Sequence, residues 1–398
     1  MLPKGDTIMG GDSKREYLTA IRQRYRQASR EEKGLILQEF CAVCRYHRKH
    51  AIRLLNQRKR GPTERPGRKP VYRTEELLRA LRRIWLATDQ ICSKKLVAAI
   101  PLWLPFYERS YGQLSPRTTH QLLSVSAATI DRLLAPARAK TRPRGLCATK
   151  PGRLLRNQIP IRTHNWDITQ PGFVEADTVA HCGNSLAGDF IWSLTLTDIH
   201  TGWTECRAMW NNGATGVIQQ IKNIQAGLPF ELKGFDCDNG SEFLNHHLVR
   251  YFTEHKPRKI HFTRARPYKK NDNAHVEQKN WSQVRQLLGY DRLDNPILVD
   301  PINHLYRNSW SLLQNHFCPS LKLLQKKRIN SKYYKKYDKP KTPYQRLLEA
   351  EQVPENTKDM LQKQHLSLDP FQLRQQIDRQ LKTIFELVSV TSNVRQRI

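Results

Sequence analysis

Three carboxylates, each carried in its own short signature, constrain this chain more than anything else in it. Asp177 lies in Val174-Glu175-Ala176-Asp177-Thr178 and Asp238 in Asp238-Asn239-Gly240-Ser241-Glu242-Phe243. Glu277 lies in Asn273-Ala274-His275-Val276-Glu277-Gln278-Lys279-Asn280. They stand 61 and 39 positions apart, so only a fold that returns twice to one place unites them. Three carboxylates gathered together repel one another and raise each other's pKa values unless cations compensate. Hard divalent cations accept such oxygen donors and serve a phosphodiester under attack. Taken singly, each acid reads equally well as structure: a strand-edge charge, a turn, a solvent-facing helix residue.

The charge around them is uneven. Of the formal net +31, residues 1–165 supply 35 Lys/Arg against 12 Asp/Glu, residues 166–290 are balanced at 13 each, and residues 291–398 hold 19 against 11. A neutral centre between two cationic arms suits a core carried on nucleic-acid-binding segments. No apolar run approaches the roughly 20 residues that span a bilayer. No secretory signal precedes the charged start, so the expectation is a cytoplasmic, nucleoid-associated protein without a membrane partner. The eight scattered cysteines read as reduced thiols. Cys41, Cys44, His47 and His50 form an evenly spaced tract, but zinc sites place a longer excursion between ligand pairs.

Organisation follows from periodicity and punctuation. Residues 1–60 read as a helical DNA-binding module of helix-turn-helix type. In it Ala51, Ile52, Leu54 and Leu55 pack, while Arg45, Arg48, Lys49 and Arg53 form the outer face. Residues 61–73 are a basic Pro/Gly linker whose Arg68 suits a narrow minor groove. Residues 74–135 form a second helical DNA-binding module; there Ser126 caps a short helix carrying Arg132. Residues 136–165 are a cationic tether. From 166 the pattern turns to strands at 173–179, 190–197 and 203–210, with Gly202 in a hairpin. A helix at 214–226 follows, then a strand ending near Asp238, a helix at 241–254, a strand at 259–263 and a helix at 273–288 stopped by Gly289. That order predicts a multidomain chain whose 166–290 core is α/β with a mixed five-stranded sheet. Residues 291–398 read as basic and mostly helical, amphipathic over 343–390 as for self-association. Within them Lys322–Lys341 carries nine Lys/Arg interleaved with Tyr333, Tyr334 and Tyr337, a pattern suited to phosphates and stacking.

The three acidic signatures, in this order and among these strands and helices, resemble the catalytic core of D,D,E recombinases, the bacterial insertion-sequence transposases and retroviral integrases of ribonuclease-H-like fold. The resemblance is specific over about residues 166–290. It extends more loosely through Asn315-His316-Phe317-Cys318-Pro319-Ser320 and Tyr337-Asp338-Lys339-Pro340-Lys341-Thr342-Pro343-Tyr344. It implies that Asp177, Asp238 and Glu277 are catalytic and hold two Mg2+ ions, with Mn2+ able to substitute. It also implies double-stranded DNA, element ends and target, as partner, and a homo-oligomer of at least two protomers. The implied reaction is nicking of element ends and joining of their 3′-hydroxyls to target DNA. Arg264, Arg266, Lys269 and Lys270 precede Glu277 and suit a phosphate clamp. The basic residue that relatives place two turns after the glutamate is absent, because position 284 is Val; Arg285, or Lys279 and Asn280, stand as substitutes. His181 and His275 flank the acids and read as structural histidines. Two competing readings use the same residues: a metal-dependent nuclease that never joins, and a non-catalytic DNA-binding regulator.

Overall fold

The computed structural model describes residues 10–57, 71–72, 74–141, 168–237, 248, 251–252, 260–264 and 279–395. These fall into two compact units, one within Met1–Val71 and one within Tyr72–Ile398.

The first unit has three helices: α1 (Gly11–Gln27), α2 (Arg30–Cys44) and α3 (Arg48–Asn56). Ser29 and Glu32 form a reciprocal capping box at the start of α2, satisfying two otherwise orphaned backbone donors. Three residues join α2 to α3, and Arg45 adopts a left-handed conformation there (φ 54°). Ile21, Tyr25, Ile36, Leu37, Phe40, Cys44, Ala51 and Leu55 form the core. The buried stripe of α2 is therefore 36-37-40-44; Leu35 and Val43 face water, as does Ile52 of α3. Arg45, Arg48, Lys49 and Arg53 are exposed, as expected of an outer face.

The second unit holds four further helices ahead of the sheet: α4 (Glu75–Ala87), α5 (Ser93–Tyr111), α6 (Pro116–Ser124) and α7 (Ala127–Thr141). Ser126 does cap α7, accepting from the Thr129 amide. The helix runs on through Thr141, so the first residues of the expected tether are helical; Asp131 accepts from Arg138 at 2.5 Å and from Ser93 at 2.6 Å. Helices α4–α7 do not stand alone as a module. Their apolar side shares one core with the end of the chain: Trp103 meets Phe371 and Phe317 edge-on, and its Nε1 donates to the Phe317 carbonyl at 2.9 Å.

The sheet has five strands in the order β3-β2-β1-β4-β5: β1 (Phe173–Ala180), β2 (Ile191–Asp198), β3 (Thr204–Trp210), β4 (Gly234–Cys237) and β5 (His261–Arg264). β1–β3 form an antiparallel meander; β4 pairs with β1 in parallel, and β5 with β4 in parallel. This is the mixed, hairpin-first sheet expected, each strand within a residue or two of its predicted place. Gly202 takes φ +77° in the β2–β3 turn, where a side chain would be strained. Helix α8 (Ala214–Gly227) covers one face through Val217, Ile221 and Ile224 against Val174, Ala176, Phe235 and Cys237.

The opposite face is covered by α9 (Asn280–Arg285, a π-helical stretch, continued by Gln286–Leu288) and α10 (Val299–Leu305, Tyr306–Trp310 and Ser311–Phe317). Gly289 ends α9 at φ +76°. The edge strand β3 is closed by side chains instead of another strand. Asn315 accepts from the Thr204 amide (3.0 Å) and donates to its carbonyl (2.9 Å). Asn303 does the same for Ala208 (2.8 and 2.9 Å). Arg207 covers the Cys206 carbonyl between them at 2.7 Å. An open sheet edge invites pairing with other chains, and these amides close it. Removing Asn315 strands a buried N–H and C=O together. Asn315→Ala is expected to lower unfolding stability by about 2–4 kcal/mol, measured by urea denaturation; a change under about 0.5 kcal/mol would count against this role.

The region after 290 is mostly helical, as expected, with one exception. Residues Leu323–Ile329 (β6) and Lys332–Tyr337 (β7) form an antiparallel hairpin; Tyr333, Tyr334 and Tyr337 favour extended backbone, and the six Lys/Arg of the segment leave a helix no apolar stripe. Then come α11 (Pro343–Glu349), α12 (Glu355–Ser367) and α13 (Pro370–Arg395). The apolar face of α13, expected for self-association, is spent inside the chain: Phe371, Leu373, Ile377 and Ile384 belong to the core shared with α5 and α10.

Candidate active site

Alternation along β1 decides where Asp177 points. Val174 and Ala176 enter the core under α8, while Val179 belongs to the other face, the one covered by α9. Glu175 and Asp177 share parity with Val179 and so turn towards α9. Asp236 pairs with Glu175 in the parallel register and shares that face, where its Oδ1 accepts from Thr263 at 2.8 Å. Asp236 is a site residue the sequence motifs do not mark; its strand parity with Asp238 is the signal that points to it.

Asp177 is half-buried. Its Oδ1 accepts from the Thr178 amide at 2.7 Å and its Oδ2 from the Asn280 side-chain amide at 2.6 Å. A carboxylate only accepts, so the amide nitrogen must face it. The Asn280 Oδ1 is then left buried without a donor among the described residues. The Asp177 carboxylate and the Asn280 Oδ1 beside it are both oxygen acceptors, the donor type a hard cation or its water shell takes.

The three substitutes for the missing basic residue have different fates. Only Asn280 reaches Asp177. Arg285 donates to the Ala180 carbonyl at 2.8 Å and stacks on Tyr290, tying α9 to the end of β1. Lys279 turns to the β2–β3 turn and donates to the Gly202 carbonyl at 3.3 Å. Val284 is fully buried in the core. Burial, with Lys95 and Arg346 nearby, pulls the Lys279 ammonium down to about 8. The folded chain thus gives up this proton before the unfolded chain does. The penalty of the buried charge is full below pH 8 and fades as pH rises towards 10.5. Lys279→Met is expected to gain about 1–2 kcal/mol at pH 7, discounted for partial exposure. The gain should vanish by pH 10.5 in thermal melts at both values.

His181 is fully buried and structural. Its Nε2 lies 2.8 Å from Ser193 Oγ, which lies 2.9 Å from the Tyr306 hydroxyl. Burial, with Arg285 adding to it, pushes its pKa down to about 3, so it stays neutral. The Cys/His tract of the first unit is spent on packing and capping. Cys44 is buried, His47 accepts from the Lys49 amide at 3.4 Å, and His50 faces Arg53 at 3.1 Å. No cluster of three or more potential metal ligands occurs among the described residues. Arg132 is exposed and folds back onto Ala128 and Thr129. Arg264 ends β5 with its Cα opposite Cys237. Asp238, Glu277, Arg68, Arg266, Lys269, Lys270 and His275 lie outside the described residues.

No protein-family model matches the chain. It is 40% identical over 335 residues to the uncharacterized protein y4rM of Sinorhizobium fredii (strain NBRC 101917 / NGR234), across 83% of this chain and 94% of that protein. The chain belongs to the family of y4rM. Among solved structures it is similar to the catalytic core domain of BIV integrase (17% identity, 29% of this chain and 68% of that one, TM-score 0.23). It is similar also to the HTLV-2 integrase catalytic core domain in complex with magnesium (15%, 38% and 91%, TM-score 0.27). A third is the simian T-cell lymphotropic virus intasome in complex with PP2A regulatory subunit B56 gamma (16%, 61% and 73%, TM-score 0.32).

Proposed function

We propose that this chain is a DNA transposase with a ribonuclease-H-like core, in which Asp177, Asp238 and Glu277 form one two-metal site. The observation that carries the reading is covalent reach around Asp177. The β1–β4 register ends at Ala176 opposite Cys237, and Asp238 is bonded to Cys237, its Cα about 3.8 Å further along. Asn280 touches Asp177, and Glu277 precedes Asn280 by three residues, at most about 11 Å of chain. Both remaining acids are thus tethered within a short span of the first.

The three carboxylates would hold two Mg2+ ions, or Mn2+, which supply Lewis acidity at the scissile phosphate. The chain's own residues set the stage. Asn280 and the Thr178 amide fix both oxygens of Asp177, and Arg285 fixes α9 against β1. In the first step water adds to phosphorus at the element end, breaks the P–O3′ bond and leaves a 3′-hydroxyl. In the second that hydroxyl attacks a target phosphodiester, forms a new P–O bond and releases the target's 3′-oxygen. Helices α2 and α3 act as a helix-turn-helix reader of element ends, with Arg45, Arg48, Lys49 and Arg53 towards DNA. Arg68, Arg132, Arg264, Arg266, Lys269 and Lys270 add phosphate contacts. Two ends brought together require at least a dimer.

A donor oligonucleotide with a free 3′-hydroxyl, incubated with plasmid and Mg2+, tests this. Covalently joined product is expected; cutting without joining would make the protein a nuclease, and neither reaction would leave a regulator.

A further inference from the structure

The hairpin β6–β7 contributes no residue to any of the four apolar cores found among the described residues. Between Leu323 and Tyr337 the chain carries six Lys/Arg and no Asp or Glu. Lys327, Lys332, Lys335 and Lys336 are exposed, and Tyr334 and Tyr337 keep 57% and 45% of their surface. Such a two-stranded ribbon is marginal alone, yet its root is firmly held. Arg346, 7% exposed, donates to Asp338 (2.7 Å), the Ser320 carbonyl (2.9 Å) and the Lys341 carbonyl (3.0 Å). Asp338 in turn accepts from the Lys322 amide at 2.6 Å. A fixed base thus carries a cationic arm seven residues long in β6, about 20 Å.

We propose that β6–β7 is a duplex-DNA arm that lies in the major groove, a channel about 12 Å wide that admits a two-stranded ribbon. The register separates its surfaces: Lys327 lies opposite Tyr334 and Ile329 opposite Lys332, with Lys336 on the same face. Lys335 shares the other face with Tyr333 and Tyr337. Lysines therefore reach the phosphate rows on both sides of a groove, while the tyrosines meet sugars and base edges. The same alternation disfavours an anionic membrane, which selects elements with apolar residues gathered on one face. The arm is distinct from the acidic site and does not rest on the transposase reading.

The test uses the full chain in EDTA, with a labelled random-sequence duplex titrated by fluorescence anisotropy across a range of NaCl. The combined Lys327→Ala, Lys332→Ala, Lys335→Ala and Lys336→Ala variant is expected to lose about 100-fold or more in affinity near 0.1 M salt. Its log–log salt slope should fall by about 3–4, since each phosphate contact contributes about 0.9. Lys363→Ala, an exposed lysine on α12, should fall by no more than a contact's worth. The melting temperature should hold, because the ribbon supplies no core. If the combined variant unfolds, Lys332→Ala and Lys335→Ala singly must each lower the slope by about 1. Unchanged affinity and slope overturn the arm, whatever the acids do. So does a variant that binds duplex normally but no longer binds phosphatidylserine vesicles.

Discussion

Asp177→Asn is expected to lose nicking and joining by at least about a thousandfold while binding element ends as the parent does. Three or more orders of magnitude correspond to about 4 kcal/mol of transition-state stabilisation, the scale of a lost metal ligand. The substitution keeps size and shape. Its oxygen can keep the bond from the Thr178 amide, and its amide nitrogen can donate to Asn280 once that side chain turns its Oδ1 inward, so the half-buried site has no reason to collapse. The companion change Asn280→Ala removes the 2.6 Å bond on Oδ2 but no metal donor of the triad. It should cost about tenfold to a hundredfold in rate, as misplacement of a reacting group does. Equal losses from the two variants would mean that Asp177 is a structural partner of α9 and nothing more.

Acid should unfold this chain early. His181 and His316 are both fully buried. Burial, with Arg285 near the first and His365 near the second, pushes each down to about 3 from 6.5. In the unfolded chain these rings take up protons below pH 6.5; in the folded chain they do not until about pH 3. The unfolded state therefore binds more protons between those values, and stability falls as pH falls. At pH 5 the loss is about 2 kcal/mol per ring, about 4 kcal/mol together. Asp198 works the other way, since burial raises its carboxyl, so the readout is a difference between proteins. His316 is stacked among Trp203, Tyr344 and His365. His316→Phe should keep that packing and remove about 2 kcal/mol of the pH 7-to-5 destabilisation seen by urea denaturation. An unchanged pH dependence would show that the ring titrates normally.

The core was legible because its strands differ in kind from everything around them. An alternation such as Ile191–Asp198 after a cationic, helical first third leaves little choice of element. Asp177 could be assigned to a face from parity alone. What stayed hidden depends on partners distant in sequence. The apolar stripe of α5 says that Trp103 will be buried, but not that Phe317 and Phe371 bury it, so residues 74–135 read as a separate module. The edge of β3 is closed by Asn303 and Asn315, and single asparagines carry no signal that they will serve two backbone groups each. Leu35 and Val43 fit the helical period as well as Leu37 and Cys44 do; only the packing of three short helices chooses between them. The β6–β7 hairpin escaped because its lysines and tyrosines stand in mixed order, Lys-Tyr-Tyr-Lys-Lys-Tyr over 332–337, with no alternation of apolar with polar.

The convergence of three acids is measured most directly by counting bound metal. Electron paramagnetic resonance of Mn2+ titrated into the full chain with a nicked end oligonucleotide should show two ions bound per active protomer. Asp177→Asn, Asp238→Asn and Glu277→Gln should each weaken that binding by an order of magnitude or more. Binding undiminished in any one of the three would place that carboxylate outside the site and break the account.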